Sequence, residues 1–190
     1  MSFYGLSGKN EEQKAALRAL SSKKPFTFLT GPAGTGKTLL AMAVGLDGII
    51  ETRDFRRLSY TRLQTQIGEH LGFLPGDLDE KSFPFIAPFE DNLDVLTTQP
   101  GTIREMYHEK IFFDAPQTER GRTKHHTFGM YDEAQNNGCS LTLALGSRIA
   151  EGSKFVFIGN FAQIDAPDIA VPEKNGLYRL LDGMYHEDPQ

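Results

Sequence analysis

The segment Gly31-Pro32-Ala33-Gly34-Thr35-Gly36-Lys37-Thr38 reads as Gly, four residues, then Gly-Lys-Thr, the spacing of a phosphate-binding loop. Glycines let the backbone wrap closely around an anion. Successive N–H groups then converge at the positive end of the following helix. In that arrangement Lys37 sets its ammonium between the outer phosphates and the Thr38 hydroxyl ligates Mg²⁺. The plainer reading is a glycine-rich turn that happens to carry a lysine. The flanks decide against it: Phe26-Thr27-Phe28-Leu29-Thr30 precedes the loop and Leu39-Leu40-Ala41-Met42-Ala43-Val44 follows. Strand, turn and helix in that order turn a pattern into a site for a nucleoside triphosphate.

Two further segments supply chemistry. Phe128-Gly129-Met130-Tyr131 runs into Asp132-Glu133-Ala134-Gln135, which puts two carboxylates at the carboxyl end of a strand, where open α/β sheets hold ligands. Asp132 is the candidate Mg²⁺ ligand, directly or through water. Glu133 is the candidate base, or orienting group, for the attacking water. Acid pairs after strands are often only helix-start charges, but a phosphate loop needs such a partner. The third segment, Phe155-Val156-Phe157-Ile158-Gly159-Asn160-Phe161-Ala162-Gln163, is another buried strand reaching the same edge. Gln163 there can hydrogen-bond the γ-phosphate, although a loop glutamine is ordinarily just solvated.

The elements that position these groups alternate between helix and strand, which implies an α/β fold with a mainly parallel sheet covered on both faces. Asn10 can cap a first helix containing Ala15, Ala16, Leu17 and Leu20. Strands are expected near 26–30, 58–61, 111–113, 127–131 and 154–158, and helices at 37–50, around 140–149 and near Tyr178, Leu180 and Leu181. Residues 64–101 fit least well; their prolines, glycines and aromatics read as an ordered insertion or flap outside the sheet. The tail 185–190 reads as loose, and the 190 residues as one domain.

Composition bounds the class. The content is 39% hydrophobic and 24% charged, the balance of a globular protein, and no apolar run approaches a membrane span. The N-terminus shows no secretory signal and Cys139 is the single cysteine, so the expected setting is cytosolic. The net charge of −5 argues against a surface coated for nucleic acid but leaves room for local basic patches. Two clusters qualify, Arg53, Arg56, Arg57 and Arg62, then Arg120, Arg122, Lys124, His125 and His126, each of which can equally be a solvated face. The five histidines lack metal-site spacing, and adjacent His125 and His126 would point oppositely on a strand. Mg²⁺ is the one metal expected.

At these residues the chain resembles the PhoH family, single-core ATPases related to superfamily 1 helicases. The resemblance runs from about Gln13 to Leu177 and includes the loop, a helicase-like Asp132-Glu133-Ala134-Gln135-Asn136, Thr61-Arg62, Leu71-Gly72-Phe73-Leu74-Pro75-Gly76-Asp77, Glu80-Lys81, Arg120-Gly121-Arg122-Thr123, Gly152-Ser153-Lys154 and Gln163-Ile164-Asp165. It implies a RecA-like nucleoside triphosphatase core acting on ATP with RNA, in which Gln13 contacts adenine. Locally, Asn10-Glu11-Glu12-Gln13 also has capping-box spacing, and the two roles can coexist. The chain departs from the family pattern at Asn160, where an aspartate is usual, and at Leu63, where a proline follows Thr-Arg. It reads as a divergent member whose length suits a phage-encoded version.

Two-lobed helicases complete the site with arginines from a second lobe, and this chain has room for one lobe. The resemblance therefore implies a homo-oligomer, a hexameric ring above all, in which a neighbour lends an arginine: Arg148, Arg120 or Arg122. Each can instead be a structural ion pair, and Arg120 and Arg122, like Arg62, can contact nucleic-acid phosphate. The leading expectation is an oligomeric ATPase coupled to RNA or other single-stranded nucleic acid. The alternative is a nucleotide-dependent binding module with little turnover that recruits a nuclease or another host factor. A small-molecule kinase is a third reading, with the 64–101 insertion as its acceptor pocket.

Overall fold

The computed structural model describes residues 2–63, 78–114, 116 and 123–187. Five strands, β3 (Phe26–Thr30), β4 (Arg57–Arg62), β5 (Ile111–Phe113), β6 (Thr127–Asp132) and β7 (Lys154–Gly159), form one sheet. Its order is β3-β7-β6-β4-β5 and every pairing is parallel. Parallel strands need crossovers, and the helices supply them. These are α1 (Glu11–Leu20), α2 (Lys37–Ile50), α3 (Leu78–Leu96), α4 (Pro100–Arg104), α5 (Cys139–Gly146) and α6 (Gly176–Glu187). A two-stranded antiparallel hairpin, β1 (Ser2–Phe3) and β2 (Leu6–Ser7), precedes them.

Strand alternation divides the core between the two faces of the sheet. Phe128, Met130, Val156 and Ile158 join Leu17, Leu20, Met42, Leu46, Leu58, Phe89 and Leu93 on one side. Tyr131, Phe155 and Phe157 join Leu63, Leu145 and Leu177 on the other. The second face is aromatic: Phe157 stacks on Phe28 at 5.5 Å and on Tyr131 at 5.0 Å between ring centroids. α2 is buried along most of its length from Leu40 to Ile49, which suits a helix sealed between the sheet and other helices. Register then fixes the functional edge. Thr30 lies level with Gly159 and Arg62 level with Asp132, so every βα loop that carries chemistry opens at one end of the sheet.

Most expected elements are present, with four corrections. Part of the expected flap is the 19-residue helix α3, whose Phe89 and Leu93 are fully buried. Prolines 84 and 88 hid it, because proline removes a helical N–H and clashes with the preceding turn. Residues 64–77, including Leu71–Asp77, lie outside the described residues. His125 and His126 are in a bend, with φ +48° at His126, so strand alternation does not apply to them. α6 continues through 185–187 where a loose tail was expected; Asn175 starts it, its side-chain oxygen accepting from the N–H groups of Leu177 and Tyr178. The N-terminal hairpin had no sequence expectation. It turns at Tyr4 and Gly5, both at positive φ, the turn geometry favoured between antiparallel strands.

Candidate nucleotide and metal site

The glycine-rich loop leaves β3 and enters α2 through Gly36, whose φ of +86° is costly for any residue with a Cβ. The loop is tied internally: the Thr35 hydroxyl donates to the Pro32 carbonyl at 2.9 Å. Lys37 folds back into it, donating from Nζ to the Gly31 carbonyl at 2.8 Å and the Pro32 carbonyl at 2.7 Å. Burial holds the Lys37 ammonium below its ordinary pKa, partly opposed by the Asp132 and Glu133 carboxylates. A phosphate offers a better partner than two carbonyls, so this lysine is poised to exchange them.

Across the cleft, Asp132 ends β6 with only 8% of its surface exposed. The Thr38 hydroxyl donates to it, at 3.2 and 3.3 Å from its two oxygens, and Tyr60 donates its phenolic O–H to Oδ2 at 3.1 Å. Burial, then the neighbouring Glu133 charge, push the Asp132 carboxyl above the usual range, while the Glu133 N–H, Tyr60 and Thr38 pull it back. A hard divalent cation bound by oxygen would relieve that desolvation. The Thr38 hydroxyl and the Asp132 carboxylate are the oxygen donors Mg²⁺ prefers, and they already lie side by side. Tyr60 has its phenol pKa raised by burial and by Asp132, so it acts as a fixed donor.

Glu133 sits at φ +56°, a left-handed conformation unusual for a side chain with a Cβ. Its N–H donates to Asp132 Oδ1 at 3.0 Å and its carbonyl accepts from the Asn136 N–H at 2.9 Å, which hold the turn. Such strain concentrates where a carboxylate must be aimed. Gln135, fully buried, fixes the carboxylate by donating from Nε2 to Glu133 Oε2 at 2.7 Å. The same amide group donates to the Gln163 carbonyl at 2.9 Å, and its oxygen accepts from the Asn160 N–H at 3.0 Å. Asn160 in turn donates from Nδ2 to Gln163 Oε1 at 2.8 Å. One buried amide thus joins the acid turn to the loop after β7. Gly159 permits this approach, because a Cβ there would lie 2.7 Å from a Leu177 methyl and 3.0 Å from Gln135 Oε1.

These groups line a cleft of about 280 Å³ at the carboxyl edge of the sheet. The family model described as PhoH-like protein matches residues 5–188. The chain belongs to the PhoH-like family. It is 37% identical over 172 residues to Protein PhoH2 of Bacillus subtilis, covering 86% of this chain and 38% of that protein. It is 36% identical over 182 residues to a PhoH-like protein of Mycobacterium leprae, covering 95% of this chain and 50% of that one. A PhoH-like protein of Synechocystis matches at 36% over 170 residues, 89% of this chain and 50% of the relative. The chain therefore spans about half the length, or less, of these relatives. Family and fold together support nucleotide binding by a RecA-like core.

Within this PhoH-like core, the cleft gathers Ala33, Gly34, Gly36, Lys37, Thr38, Asp132, Glu133, Asn160 and Gln163. Gln13 lies beside the loop and serves it: Nε2 donates to the Thr35 carbonyl at 3.1 Å while Oε1 accepts from the Lys9 N–H at 2.9 Å. Asn10 caps α1 through the Gln13 N–H at 2.8 Å. The basic clusters divide differently from their sequence grouping. Arg57 and Arg62 occupy opposite ends of β4; Arg56 and Arg57 meet Lys124, His125 and His126 around a cavity of about 240 Å³ near the amino edge. Arg62 lines the phosphate cleft. Arg148 sits near the amino edge, its carbonyl bonded to the Lys124 N–H, and its Nε is buried without a partner among the described residues. It is not among the described residues that line the cleft. Arg120 and Arg122 lie outside the described residues. Sequence reasoning missed Tyr60, the buried donor behind Asp132, and Asn92, which lines the cleft. Tyr60 was findable, being two residues before Arg62 on the same strand face, whereas Asn92 depends on the unexpected helix α3.

Proposed function

We propose that this chain hydrolyses ATP, and that in an oligomer it couples hydrolysis to RNA or other single-stranded nucleic acid. The observation that carries the reading is the convergence of Lys37, Thr38, Asp132 and Glu133 on one cleft. ATP would enter with its phosphates against the loop N–H groups, and Lys37 would leave the Gly31 and Pro32 carbonyls for the outer phosphates. Thr38 and Asp132 would hold Mg²⁺, which when bound neutralises charge on the phosphate oxygens. Glu133, aimed by Gln135, would accept a proton from the water whose oxygen attacks the γ-phosphorus. The bond to the bridging oxygen breaks, and ADP and phosphate leave. Gln163, held by Asn160, would sense the γ-phosphate, and Gln13 would turn its amide towards adenine.

The oligomer is proposed as a homo-hexameric ring, with Arg148, Arg120 or Arg122 presented to the adjacent copy and the basic segment around Arg120 and Arg122 facing nucleic-acid phosphate. The amino-edge location of Arg148 suits donation to another copy.

Glu133→Gln should bind ATP and fail to turn it over, while Lys37→Ala should weaken nucleotide binding at least tenfold. Turnover retained by Glu133→Gln would remove that carboxylate from the mechanism. A second reading, a nucleotide-gated module with little turnover that recruits a nuclease or other factor, draws on Asn160, an uncharged amide where the family pattern has an aspartate. Purified oligomer that binds ATP without forming ADP would support it.

A further inference from the structure

Arg62 is a cation built into the phosphate cleft without an adequate partner among the described residues. It ends β4 level with Asp132, and its side chain is 21% exposed. Its nearest carboxylate oxygen, Glu133 Oε1, lies 3.8 Å from NH2, an ion-pair distance too long for a hydrogen bond. Its Nε is buried and makes no hydrogen bond among the described residues. A buried guanidinium nitrogen left unpaired is costly, and such orphans in a folded protein call for an absent ligand. The group lines the same cleft as Lys37, Thr38 and Glu133, so an anion that enters there comes within reach of the guanidinium. Neighbouring carboxylates cannot fill the role: Asp132 already accepts from Thr38, Tyr60 and the Glu133 N–H, and Glu133 accepts from Gln135.

We infer that Arg62 is a catalytic residue acting in its own subunit, its guanidinium binding the γ-phosphate oxygens as negative charge shifts during transfer. The inference rests on the ATPase reading above. It changes what a neighbour must supply, since a single lobe then already holds one arginine beside its nucleophile-activating acid. The planar fork can hold two phosphate oxygens at once, which a lysine cannot do. Arg62 also lies beside Glu133 on the cleft wall, so it can steer the carboxylate towards the attacking water once it has turned to phosphate. Its place at the end of β4 rather than on a loop fixes it through pairing with Asp132 of β6.

The test compares wild type, Arg62→Ala and Arg62→Lys in three measurements: ATP turnover, ADP binding, and trapping of ADP with aluminium fluoride as a transition-state mimic. The expected result is a fall in turnover of roughly 10³-fold in Arg62→Ala. Trapping of the mimic should be lost and ADP affinity should stay within about threefold. Arg62→Lys should recover only part of the turnover. Mixing Arg62→Ala subunits with Glu133→Gln subunits should restore nothing, because each active site then lacks one group of its own. Restored turnover in the mixture would overturn action in the same subunit. Wild-type turnover and trapping both retained by Arg62→Ala, with single-stranded RNA affinity lost instead, would make it a nucleic-acid contact. Absence of both turnover and trapping in the wild type would instead bring down the ATPase reading and this inference with it.

Discussion

Burial and hydrogen bonding converge on Asp132, the proposed Mg²⁺ ligand. It is buried, its carboxyl is held above the usual range, and three donors keep its oxygens in place. Of these donors Tyr60 is the one that can be removed with least change of shape. Tyr60→Phe should cost about 1.5–3 kcal/mol in urea unfolding, the range for a hydrogen bond to a charged group. Because the Tyr60 bond lowers the Asp132 pKa, its loss raises that pKa further and lets protons compete better with Mg²⁺. Mg²⁺-dependent nucleotide affinity in Tyr60→Phe should therefore fall more steeply below neutral pH than in wild type, measured by titration at pH 6 and pH 8. Parallel pH profiles would dissociate Tyr60 from the metal ligand.

The elements meet at Gly159, where the end of β7 passes under α6 and against Gln135. Gly159→Ala should destabilise the fold by about 1–3 kcal/mol through overpacking. It should also lower turnover, since the displaced Gln135 no longer aims Glu133; unfolding and single-turnover measurements check the two effects separately. Unchanged turnover would mean that the buried amide only packs. At this scale the sequence was most legible where local chemistry and periodicity agree. Lys37–Ile50 was readable to its bounds because a glycine-rich start precedes an unbroken apolar run, and β6 and β7 were readable from their apolar runs ending in acids or Gly-Asn. α3 was not, because Pro84 and Pro88 argue locally against a helix that long-range packing of Phe89 on Tyr60, at 5.4 Å, helps sustain. The loop and the acid pair of the site were equally plain in sequence. The tie from Gln135 to Asn160 was not, since it joins residues 25 apart that only strand register brings together.

At the scale of the molecule, the carboxyl edge of the sheet is strained, charged and open, while the amino edge carries a buried cation of its own. Lys154 is 3% exposed at the start of β7 and donates to the Ser22 and Lys24 carbonyls at 3.0 and 2.8 Å. Burial pushes its ammonium down to about 8 from 10.5. The unfolded chain then binds more protons than the folded one between those values, so this group's contribution to stability rises with pH across that window. Wild type should gain stability relative to Lys154→Met on going from pH 7.5 to pH 10 in urea unfolding. A difference that stays flat would show the lysine to be ordinary. The central claim, that the convergent cleft hydrolyses ATP, calls for one measurement above the rest: ATP hydrolysis by size-fractionated protein, with and without single-stranded RNA, beside Glu133→Gln. Turnover should depend on Glu133 and rise with RNA in an oligomeric fraction. Tight ATP binding with no ADP formed in any fraction would contradict it.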